Sequence, residues 1–275
     1  HLNIFHYKTY DNMKRRKFIT TTAQGSILMG LGPILQGSGS IDFNTPAETR
    51  KIFITGGSLD SKIVNYARTL TGKSKPRMCF LPTASADDPR VEIYWYRMCA
   101  GLDVVPFVQG MFISSYSMKE GWDEILLSMD AIIVGGGNTL NMLAIWKAQG
   151  IDKILREAWD KGILLGGGSA GSLCWFEEGT TDSRPKNLTK IECLGFLKGS
   201  HSPHYDAEPQ RRPIYQNLIK TGVLKPGYAV DNNAAIYFED NKVKNVVATD
   251  EKSKAYYVDM SGGEIRETPL AVEVI

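Results

Sequence analysis

Ser169 stands in Gly166-Gly167-Gly168-Ser169-Ala170-Gly171, a run that satisfies G-x-S-x-G through Gly167, Ser169 and Gly171. A serine in that setting occupies a strained turn between strand and helix, where glycines let backbone segments crowd together and the hydroxyl projects above the sheet. The chemistry this suits is nucleophilic attack on an acyl carbon. Two other readings compete. Gly166, Gly168 and Gly171 formally satisfy the dinucleotide spacing G-x-G-x-x-G, and a glycine-rich turn can cradle a phosphate. Yet the run belongs to the fifth strand unit, no acidic residue closes a strand about twenty residues on, and no Walker lysine follows. The third reading is packing alone.

A serine nucleophile needs a base, and histidine is the usual one because its pKa lies near working pH. Past the N-terminal segment the only histidines are His201 and His204, in Gly199-Ser200-His201-Ser202-Pro203-His204-Tyr205-Asp206. They follow an apparent strand at 194–198, which puts both near a strand's end, although either could be an ordinary structural histidine. Acyl transfer also needs N–H groups aimed at the developing oxyanion. Gly135-Gly136-Gly137-Asn138-Thr139 ends the fourth apparent strand, and its backbone could bring an amide beside that of Ala170. A sharp turn is the competing use of those glycines.

Together, Gly-Gly-Gly-Asn-Thr at 135–139, Gly-x-Ser-Ala-Gly at 167–171 and Ser-Pro-His-Tyr-Asp at 202–206 resemble the aspartyl dipeptidase (peptidase E) family, which is related to cyanophycinase. The resemblance covers approximately residues 51–260. It implies a serine peptidase on a fold like that of class I glutamine amidotransferases. Ser169 would be the nucleophile, His204 the base, and the amides of Gly136 or Gly137 with Ala170 the oxyanion hole; His201 precedes the motif and is the weaker candidate. The resemblance also implies a carboxylate that orients the histidine, in a segment reading Ala229-Val230-Asp231-Asn232-Asn233-Ala234-Ala235-Ile236. That carboxylate aligns with Asn232, and Asp231 immediately precedes it. An amide can hold an imidazole but cannot offset its positive charge, and neighbours on a strand face opposite ways. Asp231 is therefore preferred as third member, with Asn232 its rival and Asp206 a further candidate.

The family's preference for an N-terminal aspartate calls for a cation to bind the substrate carboxylate. Arg211 and Arg212, just after the histidine motif, are the candidates, and Asn138 is a further candidate substrate contact. The implied activity is hydrolysis of short peptides, dipeptides with N-terminal Asp foremost. Alternatives are a β-aspartyl linkage of the cyanophycin kind, or a binding module on the same fold whose triad is impaired. Neither cofactor nor metal is implied.

These loops need a scaffold. From Lys51 on, short apolar runs (51–57, 77–82, 102–108, 131–137 and 163–168), three of them ending in glycine, alternate with helical stretches at 60–70, 88–100, 122–129 and 139–161, the last broken at Gly150. Strands that are apolar throughout are buried on both faces, as in a parallel sheet between helical layers. The expected class is α/β, doubly wound and mostly parallel. Beyond residue 225 come closely spaced β-rich runs (228–237, 243–248, 254–258 and 263–267), read as antiparallel additions at the edge of the same domain. In such sheets ligands gather at the carboxyl ends of the strands, which is where Ser169 and the Gly135 run fall.

The chain has 275 residues, 43% hydrophobic and 23% charged, with a net charge of +2. That excludes a disordered chain and provides a core that needs no staple. Residues 1–44 hold five basic groups against two acidic ones, leaving 27 basic and 28 acidic residues in 45–275. The body therefore carries no basic surplus for nucleic acid. Cys79, Cys99, Cys174 and Cys193 have no metal or redox spacing and read as buried thiols, with a disulfide left open. Lys14-Arg15-Arg16-Lys17 followed by the uncharged stretch 20–35 resembles a twin-arginine export signal. Residues 1–47 are accordingly expected to be an export segment and linker, and 48–275 a single α/β peptidase domain delivered to the periplasm, the cytoplasm being the alternative. The apolar run is broken by Gly30, Gly32 and Pro33 and is too short for a stable membrane span. The expected partner is a small peptide, and a homodimer stays open.

Overall fold

The computed structural model describes residues 48–57 and 59–275; the expected export segment, 1–47, lies outside the described residues. The first half alternates strand and helix: β1 (Lys51–Thr55), α1 (Ser61–Leu70), β2 (Arg77–Leu81), α2 (Pro89–Cys99), β3 (Val105–Val108), α3 (Trp122–Leu126), β4 (Ala131–Val134), α4 (Thr139–Gln149), α5 (Ile151–Asp160), β5 (Leu164–Gly168) and α6 (Ala170–Leu173). The second half is mainly β: β6 (Phe176–Thr181), β7 (Thr189–Glu192), β8 (Leu197–Ser202), α7 (Arg211–Lys220), β9 (Gly227–Val230), β10 (Ala234–Glu239), β11 (Lys242–Ala248), β12 (Ala255–Ser261), β13 (Glu264–Pro269) and β14 (Glu273–Val274).

The larger sheet runs β14-β11-β10-β1-β5-β4-β2-β3. Its β1, β5, β4, β2 and β3 are mutually parallel, and β10 and β11 extend it antiparallel beyond β1. Every residue of β4 and β5 is buried, as uniformly apolar strands require. Ile63, Val64, Trp95 and Met98 of α1 and α2 pack on one face. Met142, Trp146, Leu155 and Trp159 of α4 and α5 pack on the other. Local signals set the helix ends. The Asp60 carboxylate accepts the Ile63 N–H, Pro89 opens α2 behind the Asp88 cap, and Gly150, in the left-handed region at φ 76°, divides α4 from α5.

The second half departs from expectation. β10 and β11 are the expected antiparallel additions at the edge of the large sheet, but six other strands form a second sheet in the order β13-β12-β9-β8-β6-β7. The apolar run expected as one strand at 228–237 is two strands, β9 and β10, in different sheets. Between them Asp231-Asn232-Asn233 turns, with the Ala234 N–H donating to the Asp231 carbonyl at 3.0 Å. The strand expected at 194–198 is β8, which begins after Gly195 (φ 67°) and continues through Ser202. His201 is therefore buried inside a strand, and only His204 lies beyond its end. The four cysteines are free thiols. Among the described residues no helix is long and apolar enough to cross a membrane.

Candidate active site

The β5–α6 turn holds Ser169 at φ 55°, ψ −116°, a conformation that costs a residue with a Cβ roughly 1–3 kcal/mol. Neighbouring groups over-determine it. The Ser169 N–H reaches the Thr55 carbonyl at 3.4 Å, and Ser172 Oγ lies 2.7 Å from the Ser169 carbonyl oxygen. The flanking glycines admit close backbone: a Cβ at Gly167 would lie 2.4 Å from the Val134 carbonyl oxygen, and one at Gly171 2.1 Å from the same atom.

His204 follows β8 and is pinned by its own N–H, which donates to the Gly56 carbonyl at 3.0 Å. Its Nε2 lies 2.8 Å from Ser169 Oγ and its Nδ1 2.6 Å from Asn232 Oδ1. An amide oxygen only accepts, so Nδ1 carries the proton and Nε2 presents a lone pair to the Ser169 hydroxyl. Asn232 is held in turn, its N–H donating to Asp206 Oδ1 at 2.8 Å. Asp206 thus supports the third residue and does not bond the imidazole.

Asp231, the preferred acid on sequence grounds, is turned away. Its Oδ2 accepts the Lys254 N–H at 2.8 Å, and its Oδ1 is buried with no hydrogen-bond partner. Burial pushes its pKa up to about 6, with the Lys254 N–H opposing and the charge of Asp206 adding to the rise. The two side chains do diverge, but through the turn between β9 and β10 and not through strand alternation, and the turn gives the imidazole to the amide and not to the acid.

Gly136 abuts the hydroxyl: a Cβ built there would lie 3.2 Å from Ser169 Cβ and 3.6 Å from its Oγ. Gly137 (φ 137°) carries the chain past the Ala84 carbonyl, which accepts the Asn138 N–H at 2.8 Å. Among the described residues the amides of Gly136, Gly137 and Ala170 make no hydrogen bond, and of the two glycines Gly136 is the one that abuts Ser169. A cavity of about 320 Å³ lies over Ser169 and His204, between the glycine loops after β1 and β4 and helix α2.

Three expected substrate contacts lie elsewhere. Asn138 caps α4, accepting the Asn141 N–H at 2.9 Å and donating to the Ser183 carbonyl at 3.2 Å. Arg211 is 2% exposed, its Nε bonded to Glu208 at 2.8 Å. Arg212 pairs with Glu267 and lies over the rings of Tyr205 and Tyr256. Neither arginine lines the cavity at Ser169. Adjacency to His204 in sequence misleads here because α7 packs on β12 and β13 of the second sheet.

His201, the weaker histidine, sits beneath the turn. Its Nε2 is 2.9 Å from Ser172 Oγ and its Nδ1 2.9 Å from the Tyr228 carbonyl. Burial pushes its pKa down to about 3, so it is neutral. Ser172 and the Thr55-Gly56-Gly57 loop were not among the expected site residues. The glycine pair closing the first strand is the signal that could have found the loop. Among the described residues no group of three or more His, Cys, Asp or Glu side chains is arranged to hold a metal.

Peptidase family S51 matches residues 52–246. The chain is 44% identical over 218 residues to the uncharacterized peptidase YgaJ of Bacillus subtilis strain 168, covering 79% of this chain and 91% of that protein. It is 26% identical over 206 residues to the uncharacterized peptidase Lmo0363 of Listeria monocytogenes EGD-e, covering 70% and 97% respectively. Among solved structures, a peptidase from an acI-B1 actinobacterium superposes with a TM-score of 0.64 at 14% identity, over 82% of this chain and 96% of that one. A Listeria monocytogenes EGD-e protein provisionally designated peptidase E superposes with a TM-score of 0.53 at 22% identity, over 71% and 97%. At those identities the two structures speak for the fold. The family match over most of the chain, joined to a relative aligned over nearly its whole length, gives the conclusion: the chain belongs to peptidase family S51 and is by that membership a peptidase.

Proposed function

We propose that the protein is a serine-type peptidase of short peptides, dipeptides among them. The observation that carries this reading is the unbroken contact Ser169 Oγ to His204 Nε2 to Asn232. His204 Nε2 takes the hydroxyl proton as Ser169 Oγ bonds to the substrate's carbonyl carbon, and the carbonyl π pair moves onto oxygen. The amides of Ala170 and of Gly136 or Gly137 receive that oxyanion. Collapse breaks the C–N bond, and the imidazolium gives its proton to the departing amine. Water, deprotonated by the same imidazole, then cleaves the acyl-enzyme and regenerates Ser169.

The Asn232 amide orients the neutral imidazole but leaves the imidazolium charge without a bonded carboxylate. Slow turnover is the expected consequence, and the amide at Asn232 is the specific observation behind the second reading, a catalytically impaired binding module. Hydrolysis of Asp-Xaa, Xaa-Xaa and β-aspartyl dipeptides by the native protein, Ser169→Ala and His204→Ala separates the two. Cleavage lost in both variants supports the peptidase; binding without cleavage by the native protein supports the module.

A further inference from the structure

Strand order fixes the two flanks of Ser169. β1, on whose Gly56 carbonyl His204 is docked, borders β5 on one side, and β4 followed by β2 lies on the other. An imidazole that protonates the departing amine draws the leaving group to its own flank. The acyl part of the peptide therefore extends the other way, past Gly136 toward the end of β2.

Helix α2 stands over that flank. Its Val91, Tyr94, Trp95 and Met98 recur at i, i+3, i+4 and i+7, one face of a helix. Trp95 is fully buried and stacks on Phe80, ring centroids 5.2 Å apart at 11°. Val91, Tyr94 and Met98, with Phe80 of β2, form the cavity wall on this flank, and Leu59, in the loop after β1, closes the cavity on the opposite side. The rest of the lining is Ser169, His204 and the backbone of glycine loops, and among the described residues no Asp, Glu, Lys or Arg lines the cavity. The charges at the start of α2, Asp88 and Arg90, pair with each other at 2.5 Å. A substrate carboxylate seated here would lose water without gaining a cation, which is costly, whereas an apolar side chain gains by leaving water.

Resting on the serine-peptidase reading, we propose that this cavity receives an apolar side chain of Leu, Met or Phe size, carried by the residue whose carbonyl Ser169 attacks. Cleavage follows apolar residues, and aspartate at that position is disfavoured.

The test is inactivation by α-aminoalkylphosphonate diphenyl esters bearing the Phe, Leu, Ala, Asp or Lys side chain, with the adduct mapped by mass spectrometry. These reagents phosphonylate Oγ with loss of phenol. The Phe and Leu reagents should react about 10- to 100-fold faster than the Ala reagent, and faster still than the Asp and Lys reagents. Tyr94→Arg, at a half-exposed wall position, should slow the Phe reagent and speed the Asp reagent by about tenfold each. Adducts on Ser169 formed as fast with Ala or Asp as with Phe would overturn the pocket assignment and leave the serine-peptidase reading standing. Absence of any adduct on Ser169 would overturn that reading and the pocket with it.

Discussion

Asn232 Oδ1 lies 2.6 Å from His204 Nδ1, so the third member of the chain that ends at Ser169 is an amide. The side chain is held from behind through its own backbone, whose N–H donates to Asp206 at 2.8 Å. The arrangement gives orientation without counter-charge.

Replacing Asn232 tests that distinction. Asn232→Asp adds the missing negative charge, so kcat should rise and the acidic limb of the kcat/KM profile should lie at higher pH than in the native protein. Asn232→Ala removes the orientation as well, and kcat should fall about tenfold or more with folding intact. Equal rates for the three proteins would show that Asn232 does not position the base.

Gly136→Ala places a methyl 3.6 Å from Ser169 Oγ, in the space an attacked carbonyl would occupy. The expected result is a loss of about 10²-fold in kcat with the cooperative unfolding transition retained, since Gly136 is exposed and the methyl crowds only Ser169, at 3.2 Å from its Cβ. A variant that keeps native kcat would remove Gly136 from the oxyanion site.

Asp231 should make the fold less stable as pH rises. Its folded pKa of about 6 exceeds the ordinary 3.8, so the unfolded chain gives up the proton first. The cost is absent below about pH 4, grows through pH 6 and is constant above, reaching about 3 kcal/mol. Asn at 231 keeps an oxygen for the Lys254 N–H and places an NH2 where Oδ1 has no partner. Urea unfolding at several pH values should therefore show Asp231→Asn gaining on the native protein between pH 4 and 6. A gap independent of pH would contradict this.

His201 works with the opposite sign. It is neutral in the fold, its pKa pushed down to about 3 by burial, whereas the unfolded chain takes up a proton below about pH 6.5. Its stabilising contribution is complete above that pH and is lost as pH falls toward 3. His201→Gln should be destabilised at pH 7.5, and its deficit should narrow by about 2 kcal/mol by pH 5. A deficit that widens on acidification would contradict the buried neutral state.

What the sequence disclosed was what short-range sterics dictate. Glycines at 167 and 171 are required because the Val134 carbonyl passes beside both, and that requirement is written in five consecutive residues. The parallel half of the sheet was legible for the same reason, each strand being apolar throughout. The run at 228–237 hid its turn because Asp231-Asn232-Asn233 is bounded by apolar residues on both sides, and no periodicity marks a change of sheet. The arginines misled because charge at 211 and 212 states a need for partners, and Glu208 and Glu267 meet it locally and across the second sheet. Asn138 misled because an Asn immediately before a helix is a capping residue first, and here its Oδ1 accepts the Asn141 N–H. The apolar wall was visible as the stripe 91, 94, 95 and 98, but only the placement of α2 beside β2 connects it with Ser169.

The central claim is that Ser169 Oγ is made nucleophilic by His204. Intact-mass and peptide mapping after treatment with a fluorophosphonate measures it directly. One adduct on Ser169 is predicted for the native protein, none for Ser169→Ala, and labelling slowed by about 10² or more in His204→Ala. Folded native protein that takes no adduct at Ser169, or His204→Ala that labels at the native rate, would contradict it.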